Sequence, residues 1–147
     1  MFNSAKAMFF APSDQSGIGG MRCEIIRATP SWQGGPGCYD CMYVAKGGVD
    51  TDGFWSLLVA RVCLFFSCAY NGCDYSCALV DWFLPVAGEV CELTGMWIVA
   101  PEIDNQGQRV QSVISLDSIV WSAHLIAVYG NDVVPIDLHF SETLTLA

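Results

Sequence analysis

Two apolar runs, residues 59–70 and 73–83, flank an Asn71-Gly72 pair near the middle of the chain. Both runs are rich in β-branched and aromatic residues, and Asn-Gly tolerates the positive φ angles of a two-residue hairpin turn. The pattern predicts a β-hairpin in which Tyr70 faces Cys73, Phe66 faces Cys77 and Arg61 faces Trp82. Odd and even positions are apolar alike, which places both faces of the hairpin inside the protein and the hairpin at the centre of a sheet.

Shorter apolar stretches on either side read as further strands. Residues 23–28, 39–45, 96–100, 110–116 and 124–129 carry the strand pattern, and the 110–116 segment is expected to pair back on 96–100. Residues 29–37, 46–53, 84–94 and 102–108 are dense in Gly, Pro, Asp and Asn and read as connections. Gly17-Ile-Gly-Gly20 reads as a turn, and Gly130-Asn131 ends the last strand. Residues 116–119 suggest one helical or 3₁₀ turn with Asp117 or Ser118 near its cap. The expected fold is all-β: a small, strongly bent sheet or barrel of about six short strands around the central hairpin, with at most one short helical turn. Residues 1–22 and 131–147 are expected to be irregular, bracketing a β domain over 23–130.

A chain of 147 residues is long enough for one buried core. Six basic against fifteen acidic residues leave a net charge of −9, which opposes docking on phosphate backbones. Arg22 and Arg27 do not make a basic stripe, so nucleic-acid binding is not expected. Residues 54–70 are apolar apart from Arg61, too short for the roughly 20 residues of a spanning helix, and no membrane association is expected. With no signal-peptide pattern at residues 1–12, the expectation is a soluble intracellular protein.

Cysteines stand at 23, 38, 41, 63, 68, 73, 77 and 91. An even count suits a disulfide framework, but that reading needs a secretory setting. Cys38-x-x-Cys41 with Cys73-x-x-x-Cys77 has the look of a paired thiolate zinc site. Against it, residues three apart on a strand point to opposite faces, and Cys73 and Cys77 lie about 13 Å apart along an extended strand. The third reading makes the cysteines small, buried apolar filler.

Other chemistry is sparse. Neither His124 nor His139 sits in a nucleophile signature with any cysteine. Ser112, Ser115 and Ser118 lack a nucleophile elbow. Asp104, Asn105 and Gly107 imitate part of a calcium loop without its length or closing Glu. Trp32, Trp82, Trp97 and Tyr129 are candidates for an aromatic cage around a methylated lysine, although core packing accounts for the same residues. No catalytic, metal or cofactor residue is assigned.

Several phrases together carry a family likeness: Phe10-Ala-Pro-Ser-Asp-Gln-Ser-Gly-Ile-Gly-Gly-Met21, Ile26-Arg-Ala-Thr-Pro-Ser-Trp32, Gly34-Gly-Pro-Gly37, Tyr39-Asp-Cys41, Leu64-Phe-Phe-Ser67, Cys77-Ala-Leu-Val80, Thr94-Gly-Met-Trp-Ile-Val99, Ser112-Val-Ile-Ser-Leu-Asp117 and Ala123-His-Leu-Ile126. Over residues 9 to about 144 the chain resembles the C-terminal accessory segment of Plavaka-type transposable-element proteins, the CACTA-like transposases of mushroom-forming fungi. The resemblance implies a non-catalytic accessory domain that lies downstream of an acidic-triad nuclease core, works in the nucleus, and contacts that core or a chromatin protein. The same pattern leads one to expect Arg where this chain has Cys23, Gln33, Cys38, Cys63 and Trp121. CGN arginine codons become Cys, Trp or Gln codons by single transitions, so the departures imply a degenerate element copy that lost basic charge. The rival reading is a zinc-binding structural module using Cys38, Cys41, Cys73 and Cys77.

Overall fold

A computed structural model describes residues 1–10, 18–46, 57–86, 88–92, 94–127 and 144–146. These residues form eleven strands and one 3₁₀ turn, an all-β domain. In chain order the strands are β1 (Ser4–Phe10), β2 (Met21–Thr29), β3 (Cys38–Tyr39), β4 (Cys41–Ala45), β5 (Leu57–Tyr70) and β6 (Cys73–Pro85). They continue as β7 (Ile98–Pro101), β8 (Gln111–Ser115), β9 (Ile119–Ala123), β10 (Leu125–Ala127) and β11 (Leu144–Leu146).

The central hairpin forms as its turn chemistry dictates. Asn71 and Gly72 both take positive φ, 50° and 77°, which matches the twist of the strands they join. Tyr70 faces Cys73 and Phe66 faces Cys77, as expected. Beyond them the register shifts by one residue between Val62 and Leu64, so Arg61 faces Asp81 and not Trp82. A bulge at Cys63 is the cause: it adds one residue to β5 that β6 does not match.

β5 and β6 lie at the heart of a large antiparallel sheet of order β10-β11-β7-β6-β5-β4-β9. The 110–116 segment does not pair back on 96–100. Instead β7 and β8 lie end to end along the same edge of β6, β7 against Phe83–Pro85 and β8 against Cys77–Asp81. Residues 102–110 leave that edge as a loop. Glu102 N donates to Trp82 O and Val110 N to Glu102 O, closing the loop at its neck. The 3₁₀ turn, Leu116–Ser118, is capped by Ser115, whose hydroxyl accepts from Asp117 N at 3.3 Å, and not by Asp117 or Ser118.

A second sheet of order β1-β2-β3 contains the segment expected to be irregular. Residues 4–10 pair along their whole length with 21–27. The sequence signal is weak because β1 is short and only its inward residues Ala5, Ala7 and Phe9 are covered, while Met8 and Phe10 stay exposed. The expected tail is likewise not wholly irregular, since Leu144–Leu146 joins β10 to β7. Residues 47–53, 128–131 and 132–143 of the expected connections and tail lie outside the described residues.

The large sheet buries both of its faces, in two clusters of alternating parity. Met42, Val44, Ala60, Val62, Phe65, Ala78 and Val80 face Ala7, Ile26 and Ala28 of the small sheet. Cys41, Tyr43, Val59, Phe83, Val99 and Ala123 form the other cluster, with Trp97, Trp121 and Leu125 packed against it. On a flat sheet, β9 and β7 would sit four strand spacings apart, about 19 Å. Yet the chain passes directly from β9, at one end of the ladder, to β10, beyond β7 at the other end. The sheet is therefore curled. Its ladder is open, yet β9 and β10 at its two ends are consecutive in the chain, separated by His124 alone.

Burial predicts a contrast along β5. Phe65 is 1% exposed in the inter-sheet core, so Phe65→Ala should lower unfolding free energy by about 3–5 kcal/mol. Tyr70→Ala, on a residue 68% exposed, should cost less than about 1 kcal/mol. Urea denaturation of both variants checks this; equal losses would contradict the assigned facing.

Candidate functional site

The outward face of the small sheet carries a candidate site. Inward residues of β2 are Glu24, Ile26 and Ala28, with the Glu24 carboxylate accepting from Ser122 N and Oγ of the large sheet. The alternate residues Cys23, Ile25 and Arg27 point away from the core, opposite Met8, Lys6 and Ser4 of β1. A shallow cleft of about 300 Å³ opens there, lined by Asn3, Ser4, Ile25, Arg27, Ser31 and Trp32 among others.

Local backbone chemistry holds Trp32 at the cleft. Trp32 O accepts from Gly35 N at 2.8 Å, and the residues between, Gln33 and Gly34, both have positive φ. This is a second primed turn, and Gln-Gly announces it less clearly than Asn-Gly does. Gly37 closes the loop against Tyr39: a Cβ there would meet the Tyr39 ring at 2.8 Å and Thr29 O at 3.1 Å. The Trp32 ring lies under the Arg27 guanidinium, 4.6 Å from centroid to Cζ.

Asp40 ties this face to the large sheet. It divides the stretch expected as one strand over 39–45 into β3 and β4, which belong to different sheets. Its carboxylate accepts from Arg27 N at 2.8 Å and lies 3.6 Å from Arg27 Nη1. Its carbonyl accepts from Val62 N of β5 at 3.0 Å. Arg27 Nε is buried and has no hydrogen-bond partner among the described residues. The cleft thus presents an indole, an aliphatic side chain and a half-buried guanidinium.

A second polar cluster lies at one end of the curled sheet. Arg61 and Arg109 both approach the Phe83 ring, at 5.5 and 5.4 Å, and Arg109 Nη1 is buried without a partner among the described residues. Burial pushes the Cys41 thiol up, against the opposing pull of Arg61 beside it. The Cys63 thiol is pushed up to about 11, first by burial and then by the Asp81 carboxylate. A thiol held protonated is a poor nucleophile, so neither cysteine is primed for covalent chemistry.

The zinc set Cys38, Cys41, Cys73 and Cys77 is not brought together. Cys41 lies opposite Arg61 and Cys73 opposite Tyr70, nine residues along β5, or about 30 Å. No group of three or more potential metal ligands occurs among the described residues. Cys38 instead donates to Asp40 Oδ1 at 3.4 Å. Eight free cysteines range from exposed Cys23, Cys68 and Cys73 to buried Cys41, so the filler reading holds only in part. The cage residues are dispersed as well: Trp32 is on the outer cleft, Trp82 on the inter-sheet core and Trp97 in the other core, while Tyr129 lies outside the described residues. Asp104 Oδ1 accepts from Gln106 N and Gln108 N, so the calcium-like residues build the 102–110 loop. His124 joins β9 to β10, and His139 lies outside the described residues.

Among the described residues no helix is long and apolar enough to cross a membrane. No family model, no curated protein and no solved structure matches this chain.

The raised Cys63 thiol sets the sign of an alkaline effect. An unfolded thiol ionises near about pH 8.5, whereas the folded one keeps its proton to about 11. Between those values the unfolded chain releases a proton that the folded chain retains, so stability falls as pH rises. The urea midpoint should drop across this window, and less steeply in Cys63→Ser; parallel profiles would contradict the assignment.

Proposed function

We propose that this chain is a non-catalytic interaction domain, the role implied by its resemblance to the accessory segment of Plavaka-type transposases. Its contact surface is the outward face of the three-stranded sheet. The observation that carries this reading is a row of large apolar side chains left in water there: Met8 at 63%, Phe10 at 57%, Met21 at 50%, Ile25 at 46% and Trp32 at 44% exposure. Contiguous exposed apolar surface marks contact with a partner, and an aromatic beside an arginine is a common anchor. Three of the six basic residues, Lys6, Arg22 and Arg27, stand on the β1–β2 ribbon of this acidic chain. A protein partner with an acidic rim, such as a nuclease core in the nucleus, is the fitting occupant.

Two side-chain environments support a degenerate copy. Of the positions where the resemblance leads one to expect Arg, Cys38 and Cys63 each lie against a carboxylate, Asp40 and Asp81. An arginine at either place would have an ion partner ready. Trp121 has instead joined an aromatic group, 5.7 Å from both Phe9 and Tyr43.

Mixing the purified chain with the nuclease core of such an element tests the contact by calorimetry. Ile25→Glu and Met8→Glu should each weaken binding by about tenfold or more, as loss of a central apolar anchor does, with unfolding temperature unchanged. No binding by the unaltered chain, or binding that both variants keep, would overturn the reading.

Restoring arginine tests the ancestry. Cys63→Arg should raise stability by about 0.5–1 kcal/mol through Asp81, and Asp81→Asn should abolish that gain. An equal gain in both backgrounds would sink the idea.

A further inference from the structure

β1 is the outermost strand of the small sheet, and its bonding to β2 fixes which of its backbone groups point away. Ser4 pairs with Arg27, so Asn3 stands opposite Ala28, and Ala28 N donates to Asn3 O at 2.9 Å. In an antiparallel pair, opposed residues that bond in this way alternate with opposed residues that do not. Ala5, Ala7 and Phe9 therefore direct their backbone groups at β2, while those of Lys6, Met8 and Phe10 point to the outer edge. Two further contacts agree with this parity. Phe2 N donates to Phe65 O at 2.9 Å on the outer edge of β1, and Arg27 N and O bond to Asp40 on the far edge of β2. Among the described residues no backbone group pairs with Lys6, Met8 or Phe10 on the outer edge.

We infer that β1 takes an extended segment of the protein partner as a fourth strand of the small sheet, an inference that rests on the docking reading above. The segment runs antiparallel, as the strand pairs among the described residues all do. It carries apolar residues opposite Phe10 and Met8 and an acidic residue opposite Lys6, so it reads apolar-x-apolar-x-acidic from its N-terminal end. Main-chain bonds to alternate residues of β1 hold it, and side chains at those same positions select its sequence.

Charge selects the occupant. Ser4, Lys6, Met8 and Phe10 are the exposed side chains of β1, and Lys6 is its only charged residue. The one carboxylate on β1 and β2, that of Glu24, faces inward and is held by Ser122. An acid opposite Lys6 thus meets no competing carboxylate on the ribbon, and cross-strand pairs of opposite charge are favourable. A second copy of this chain is the poorer occupant: its β1 brings lysine and no acid, and each copy carries a net charge of −9. The edge also lacks the proline or bulge by which sheets turn away a further strand, since its register with β2 is unbroken from Ser4 to Phe10.

The probe is the synthetic peptide acetyl-Thr-Val-Thr-Val-Thr-Glu-Thr-amide, added to the full folded chain and followed by amide NMR. The amides of Lys6, Met8 and Phe10 should shift and exchange more slowly with solvent, while those of Ala5, Ala7 and Phe9 keep their rates. Methylating the amide nitrogens of the two peptide valines should abolish both effects, and Lys in place of the peptide Glu should weaken binding about fivefold. A second arm uses the chain N-methylated at Met8, made by ligating synthetic residues 1–22 to residues 23–147 at Cys23. Its side chains are unaltered, yet it should bind the nuclease core about tenfold more weakly, as loss of an anchor does. Absence of these amide shifts, or shifts that survive valine methylation, would overturn the inference. So would full binding of the core by the N-methylated chain while Ile25→Glu weakens it, a result that leaves the docking reading standing. Pairing of the peptide with β1 beside a core that never binds would uphold strand addition and count against the docking reading alone.

Discussion

Strands β4, β5 and β6 are apolar at consecutive positions, so neither face of the sheet they form tolerates water. Two different solutions cover the two faces. One face curls until the ends of the ladder meet through His124, enclosing Phe83, Val99 and Ala123. The other is capped by the ribbon of β1 and β2, which contributes Ala7, Ile26 and Ala28. Burying Phe65, Phe83 and Met42 this completely supplies the main driving force for the fold.

Asp40 is the joint between the two solutions. A strand that continued unbroken from 38 to 45 would belong to one sheet only. By turning at Asp40, the chain pairs first with β2 and then with β5, and the carboxylate fastens Arg27 in passing. The same bond fixes the guanidinium over Trp32 and so shapes the outer cleft. Fold and candidate surface thus share one residue. The small sheet spends its inward face on the core and is left with an outward face more apolar than an edge ribbon needs, which is why the surface reading attaches to it.

The central hairpin was readable because Asn71-Gly72 admits few alternatives and the flanking runs are long. The bulge at Cys63 was not, since an extra residue leaves no mark on local composition and shows itself only through the partner strand. β1 was hidden for a related reason: its alternation is clear only once β2 says which side is inward. β8 misled because the closest apolar segment in sequence, β7, is not its neighbour; both share an edge of β6. At the candidate site, Trp32 and Arg27 were visible as residues, but Asp40 gave no sign of its role, and cysteine spacing suggested a convergence that strand geometry does not produce.

Proton NMR of the native chain tests the two-sided covering most directly. The ring of Phe9 lies 5.7 Å from that of Trp121, which lies 5.7 Å from that of Tyr43. That relay links the capping ribbon to the edge of the curled sheet. Through-space transfer should appear between Phe9 and Trp121 and between Trp121 and Tyr43, with slow amide exchange in β1. Transfer confined to Tyr43 and Trp121, with β1 amides exchanging as in an unfolded peptide, would contradict it.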